Sequence, residues 1–272
     1  MPAGAVPRPT LRATTLLTHD LYCRHLLADT DAFAATLADA DPSVTVPTCP
    51  DWSLRELVAH LGRAQRWYAA NVRARAADPL PFIEESPAEN AGPAALGAWL
   101  AEGAVRLAQT LREAGPDEEM WTWGEARRTG FWARRAVHET LVHRADAAAA
   151  TERGFTADRW VAADAVDEWL EMLSCPQART HRPQLAELRG PGRSIHLHAT
   201  DEVADLNGEW VIEFGEDGFT WRRNHAKATV ALRGPMADVL RVFYRRLPAD
   251  SDRVEVLGDA RLLDFWLERA TF

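Results

Sequence analysis

Apolar residues recur at helical intervals through the first half of the chain, and alternate with polar ones over much of the second. Over about residues 14–40 the repeating positions are Leu16, Leu17, Leu21, Leu27, Phe33, Ala34 and Leu37, which predicts a first helix. Prolines at 42, 47 and 50 make residues 41–52 a loop. Ser53 and Glu56 have the Ser-x-x-Glu spacing of a capping box, in which each side chain satisfies a backbone N–H of the other. A second helix follows to about residue 77, with Leu54, Leu57, Val58, Leu61, Ala64 and Tyr68 as its apolar stripe. A Pro-rich acidic loop leads to a third helix over 94–114, which Gly115–Pro116 stops. No Gly or Pro interrupts 131–150, the fourth helix.

Past Gly154 the pattern changes. One more amphipathic helix spans 157–173, and 176–192 is polar and loop-like. Ile195, Leu197 and Ala199 then alternate with Ser194, His196 and His198, and Trp210, Ile212 and Phe214 with Val211 and Glu213. The Gly215–Glu216–Asp217–Gly218 turn predicts a hairpin into Phe219 and Trp221. A strand over 228–232, a helix from Pro235 to about 247, a strand over 253–257 and a helix over 260–270 complete the chain. The expected fold class is α+β: a flexible lead-in over 1–13, a four-helix bundle over 14–152, and a small domain over 153–272 with a mainly antiparallel sheet.

Composition narrows the function. The chain has 272 residues, is 47% hydrophobic and carries a formal charge of −9, from 31 basic and 40 acidic residues. That balance argues against a nucleic-acid binder and supplies no polybasic membrane patch. Cys23, Cys49 and Cys175 are too scattered for a disulfide framework or a thiolate zinc site. With no leader-like apolar segment and no run of the ~18 apolar residues a spanning helix needs, the expected location is the cytoplasm. The 11 tryptophans are numerous for this length, and several are candidates to line a pocket. Trp121, Trp123 and Phe131, with Arg127 and Arg128 among them, form a connector that either caps a pocket or packs as a plain loop.

Candidate chemistry centres on the fourth helix. Glu139 and His143 are four residues apart, so about 400° of rotation returns them to one face. Ala136, Ala147 and Ala150 lie near that face and turn it inward, where an unpaired charge is expensive. A divalent metal would satisfy both side chains, although such a pair is more often solvated or hydrogen-bonded in a core. His60, at the edge of the second helix's stripe, is by itself more often a packed histidine. In a bundle the three could meet: two histidines and a carboxylate, with positions left for water, make a catalytic type of metal site that suits zinc. Asp146 could orient a ligand from behind or pair with an arginine at the helix end. Cys49 has no nearby base and reads as a buried thiol. His196 and His198 share a strand face and could bind a metal, but an outward polar face is the weightier reading.

Several stretches resemble one family. Thr48–Cys49–Pro50–Asp51–Trp52–Ser53 with Leu57–Val58–Ala59–His60–Leu61–Gly62, and His138–Glu139–Thr140–Leu141–Val142–His143–Arg144–Ala145–Asp146, resemble the two helical motifs of the mycothiol-dependent maleylpyruvate isomerase family. Ile195–His196–Leu197–His198–Ala199–Thr200–Asp201, Gly208–Glu209–Trp210, Arg233–Gly234–Pro235, Tyr244–Arg245–Arg246–Leu247 and Gly258–Asp259 follow in the family's order. The resemblance implies a DinB-like bundle with metal ligands at His60, Glu139 and His143, a sterol-carrier-like second domain, and a functional arginine at Arg246, with Arg245 beside it. It implies an enzyme that uses a divalent metal, zinc by preference, and mycothiol as thiol cosubstrate. Metal coordination deprotonates a thiol whose free pKa is about 8.5. The leading expectation is an S-transferase attacking an electrophilic small molecule, with Arg246 holding a carboxylate of substrate or thiol. The alternatives are a cis–trans isomerase of the maleylpyruvate type, and a metal-dependent hydrolase or non-catalytic metal-binding module.

Overall fold

The computed structural model describes residues 17–201 and 206–270. The expected lead-in over 1–13 lies outside the described residues. The first half is built on four helices: α1 (His19–Leu37), α2 (Leu54–Ala74), α3 (Pro93–Ala114) and α4 (Thr129–Ala150). Neighbours α1/α3, α3/α2, α2/α4 and α4/α1 close the ring of a bundle. Local sequence explains where they start. Thr18 caps α1, accepting from the Leu21 N–H, and Ser53 and Glu56 make the full capping box on α2. Pro93 occupies the first turn of α3, where its missing N–H costs nothing. Gly62 lets α2 approach α3, since a Cβ there would lie 2.1 Å from the Trp99 ring.

Helix α4 has 16 of its 22 residues buried, spread over every face. It sits between α1 and α2 on one side and α5 (Arg159–Ser174) on the other. Its many alanines permit that close packing and leave no polar side.

Residues 41–52, expected as a loop, contain a short hairpin, β1 (Thr45–Val46) and β2 (Cys49–Ser53), with Val46 opposite Cys49. Pro47 falls in its turn, and Pro50 is tolerated because both strands are edges. Residues 176–192 are likewise more regular than expected. They form α6 (Pro176–His181) and a 3₁₀ turn (Pro183–Glu187), each with proline in its first turn.

The second half is a five-stranded sheet in the order β5-β4-β3-β6-β7. Its strands are β3 (Ser194–Ala199), β4 (Glu209–Phe214), β5 (Phe219–Arg223), β6 (Val230–Gly234) and β7 (Glu255–Gly258). The β3–β6 pair is parallel and the others are antiparallel, as the α+β expectation required. Ile195, Leu197, Trp210 and Ile212 share one face, opposite each other in register, and are fully buried. Helices α7 (Met236–Phe243) and α8 (Ala260–Arg269) cover the sheet. Helix α7 ends four residues before the expected 247; Arg245 beyond it adopts a left-handed φ of 61°. Trp132 of the bundle and Trp266 of α8 belong to one continuous apolar cluster, so the two halves share a core. Among the described residues, no helix is long and apolar enough to cross a membrane.

Candidate metal centre

His60 projects from the second turn of α2, and Glu139 and His143 from successive turns of α4, where the two helices pack. Glu139 Oε1 lies 3.4 Å from His60 Nε2 and 3.2 Å from His143 Nε2. The three potential ligand atoms all fall within 4.8 Å of one another. Trp52, at the end of the unexpected hairpin, lies against His60 with ring centroids 4.7 Å apart.

Behind His143, Nδ1 lies 2.8 Å from Asp146 Oδ2. A neutral imidazole donating its Nδ1–H to Asp146 turns its Nε2 lone pair toward Glu139 and His60. Asp146 is held in turn. It accepts from Thr48 Oγ1 at 2.5 Å. Arg246 donates to both of its oxygens, Nε to Oδ1 at 2.9 Å and Nη2 to Oδ2 at 3.2 Å. Arg246 also donates through Nη1 to the Tyr244 carbonyl at 2.8 Å. Arg245 is exposed, so of the two adjacent arginines it is Arg246 that reaches the centre.

Glu139 presents its other oxygen, Oε2, to Arg135 Nη2 at 3.2 Å. Arg135 continues to Glu168 Oε2 of α5 at 2.6 Å. His138 bridges Glu168 and Asp164 at 2.9 and 3.1 Å. This buried chain of charges was not foreseen in the sequence. Its signal is Arg135 and His138 on a helix with no exposed face, and Asp164 and Glu168 one turn apart on α5.

The electrostatics favour a cation. Burial pushes the Glu139 carboxyl up, but hydrogen bonds from His143 and His60 and the charge of Arg135 outweigh it and hold it well below the usual range. Burial pushes the His143 imidazole down, but Asp146 and Glu139 together raise it to about 9. The field that keeps a proton on His143 also attracts a metal ion. Two imidazole nitrogens and one carboxylate oxygen, with a carboxylate bracing one histidine from behind, fit a catalytic divalent metal. Cys49 is the opposite case: burial, then the charge of Asp146, pushes its thiol up, away from a nucleophile's range.

Glu139 and Arg135 also line a cavity of about 550 Å³ between the bundle and α5–α6. Trp121, Trp123 and Arg127 of the connector line it, opposite Trp169, His181 and Arg182. The connector thus borders a pocket, and tryptophans form its walls. His196 and His198 lie elsewhere, on the sheet, beside Glu209.

Two family models match the sequence: the mycothiol maleylpyruvate isomerase N-terminal domain over residues 23–148, and the MDMPI C-terminal domain over residues 161–265. Among solved structures, the crystal structure of the mycothiol-dependent maleylpyruvate isomerase superposes with a TM-score of 0.56 at 15% identity, over 88% of this chain and 93% of that one. A histidine-to-alanine mutant of that enzyme superposes with a TM-score of 0.54 at 14% identity over the same shares. At these identities the likeness is one of fold. No curated protein matches the sequence.

Proposed function

The chain belongs to the mycothiol maleylpyruvate isomerase family, and on that premise we propose that it is a mycothiol-dependent cis–trans isomerase acting on a maleylpyruvate-type substrate, with His60, Glu139 and His143 holding a divalent metal. The observation that carries the reading is the convergence of these three side chains beside a cavity that Glu139 itself lines. The N-terminal family model bears the isomerase name, which favours isomerisation over the S-transferase expected first.

The reaction class needs a thiol to add across a carbon–carbon double bond, the resulting single bond to rotate, and the same thiol to leave. A divalent ion held by His60, Glu139 and His143 would lower the thiol's pKa so that it is deprotonated at neutral pH, and zinc would suit the two-nitrogen, one-oxygen donor set. The protein's own residues do the rest. Asp146 fixes the His143 tautomer and ring angle, and Arg246 and Thr48 hold Asp146. Arg246 is therefore a positioning residue in this reading, acting through Asp146. Arg135 holds the second oxygen of Glu139, so Oε1 faces the histidines. Arg127 and Arg182 give the cavity cationic groups suited to a substrate's carboxylates, between tryptophan walls.

The test is turnover of maleylpyruvate by zinc-loaded protein with and without mycothiol. The expected result is the trans isomer, formed only with mycothiol, and recovery of the thiol unchanged. A stable thiol conjugate as the product would establish the S-transferase, and turnover without thiol the hydrolase; either overturns the isomerase.

A further inference from the structure

The sheet carries a second cluster that the centre above does not use. On β3, His196 and His198 point to one face, as alternate residues of a strand must. His198 is directly opposite Glu209 of β4 in the ladder. The Asn224 N–H donates to the Glu209 carbonyl at 3.1 Å, which brings the chain after β5 alongside and places His225 over the same spot. Three imidazole nitrogens then surround one carboxylate oxygen. From Glu209 Oε2, His196 Nε2 lies at 2.8 Å, His198 Nδ1 at 3.1 Å and His225 Nδ1 at 2.6 Å. All four atoms lie within 4.8 Å of one another.

Hydrogen bonding alone accounts poorly for this packing. A carboxylate oxygen offers about two lone-pair sites, and three nitrogens converge on this one. A central cation removes the conflict, because every nitrogen and the oxygen then direct a lone pair at it. Tetrahedral zinc, with bonds of about 2.0–2.1 Å, sets its ligand atoms about 3.3 Å apart, so the three nitrogens at 2.6–3.1 Å from Glu209 Oε2 would each open outward by under about 1 Å. The arginines on this face are paired elsewhere: Arg233, beside His198 in the β6 register, with Glu255 at 3.2 Å, and Arg222, opposite Val211 on β5, with Glu213.

We infer that His196, His198, Glu209 and His225 form a second divalent-cation site, of the borderline class that zinc represents. Four protein ligands make a closed coordination sphere, which is the structural type and unlike the three-ligand centre in the bundle. The ion ties the chain after edge strand β5 to the β3–β4 ladder. His225 contributes a ligand from an exposed position, 72% accessible at its side chain, so its removal leaves the core packing intact.

The experiment strips the full chain with chelator, reloads it with zinc, and measures metal per chain after dialysis. Wild type should retain two equivalents. His60→Ala should retain one, and zinc should still raise its melting temperature. His225→Ala should lose the sheet equivalent, with affinity at that site falling about 100-fold or more, since even indirect partners of a metal site are worth 10–100-fold. His198→Ala should repeat the effect. A His60→Ala chain that holds no zinc, or a His225→Ala chain that holds as much as wild type, overturns the inference. A wild type with a single equivalent, kept in His60→Ala and lost in His225→Ala, upholds the sheet site and counts against the bundle site instead.

Discussion

Asp146 holds the candidate centre together without being one of its proposed ligands. It is fully buried, with His143, Arg246 and Thr48 all on its carboxylate. The sequence left it two readings, bracing a ligand or pairing with an arginine, and in the structure its carboxylate contacts both His143 and Arg246. The arginine is not at the helix end, as adjacency would have it, but 100 residues further along. Asp146→Asn keeps the shape but removes the charge that orients His143. Metal affinity should fall about 10–100-fold, read by competitive zinc titration; an unchanged affinity would show that His143 does not depend on it. Arg246→Lys keeps a charge but loses the two-point grip. It should lower metal affinity by less than Asp146→Asn, with KM for substrate unchanged. A raised KM with metal affinity intact would return Arg246 to the substrate-binding role that its place in the sequence pattern first gave it. The proposed ligand residues were legible as a pattern of Glu-x-x-x-His and a histidine on a facing helix. The bracing was legible only in part: Asp146 and Arg135 sit within one turn of the ligand they touch on α4, whereas Thr48 and Arg246 reach the site only through tertiary packing.

At the scale of elements, α4 and α5 are joined by buried ion pairs. Arg134 reaches Asp164 and Glu171, and His138 lies between Asp164 and Glu168. Removing one member of such a pair strands the rest, so Asp164→Asn should destabilise the fold by about 3–5 kcal/mol, measured by urea denaturation. A loss under about 1 kcal/mol would mean that the network contributes little. Burial pushes Asp164 up, but Arg134 and His138 outweigh it and hold it far below its ordinary value. Arg135 and His138 likewise hold Glu168 down against burial. Depressed carboxylates stabilise fully above their unfolded-state values near pH 4, and lose that contribution as pH falls through the folded values. The melting temperature should therefore drop steeply below about pH 4, and less steeply in Asp164→Asn; identical acid limbs would contradict this. Long helices with apolar stripes were legible because their periodicity repeats over several turns. The β1–β2 hairpin and the α6–3₁₀ segment were not. They are too short to show a period, and their prolines read as breakers when they in fact sit in a turn, on an edge strand and in first helical turns.

Over the whole molecule, the order of helical half and sheet half could be read from the change of period near Gly154. The shared core and the cavity could not. That cavity exists because the 121–127 connector and α5–α6 face each other across Glu139 and Arg135, and no local pattern encodes a meeting of segments about 50 residues apart. This place is the proposed meeting point of thiol, metal and substrate. Its most direct test is absorption of the cobalt-substituted protein during titration with mycothiol, in the His225→Ala background so that only the bundle site reports. A sulfur-to-cobalt charge-transfer band that grows to saturation with mycothiol, and fails to appear when His60→Ala is added, is the predicted result. A cobalt-loaded chain whose spectrum mycothiol leaves unchanged would contradict the account.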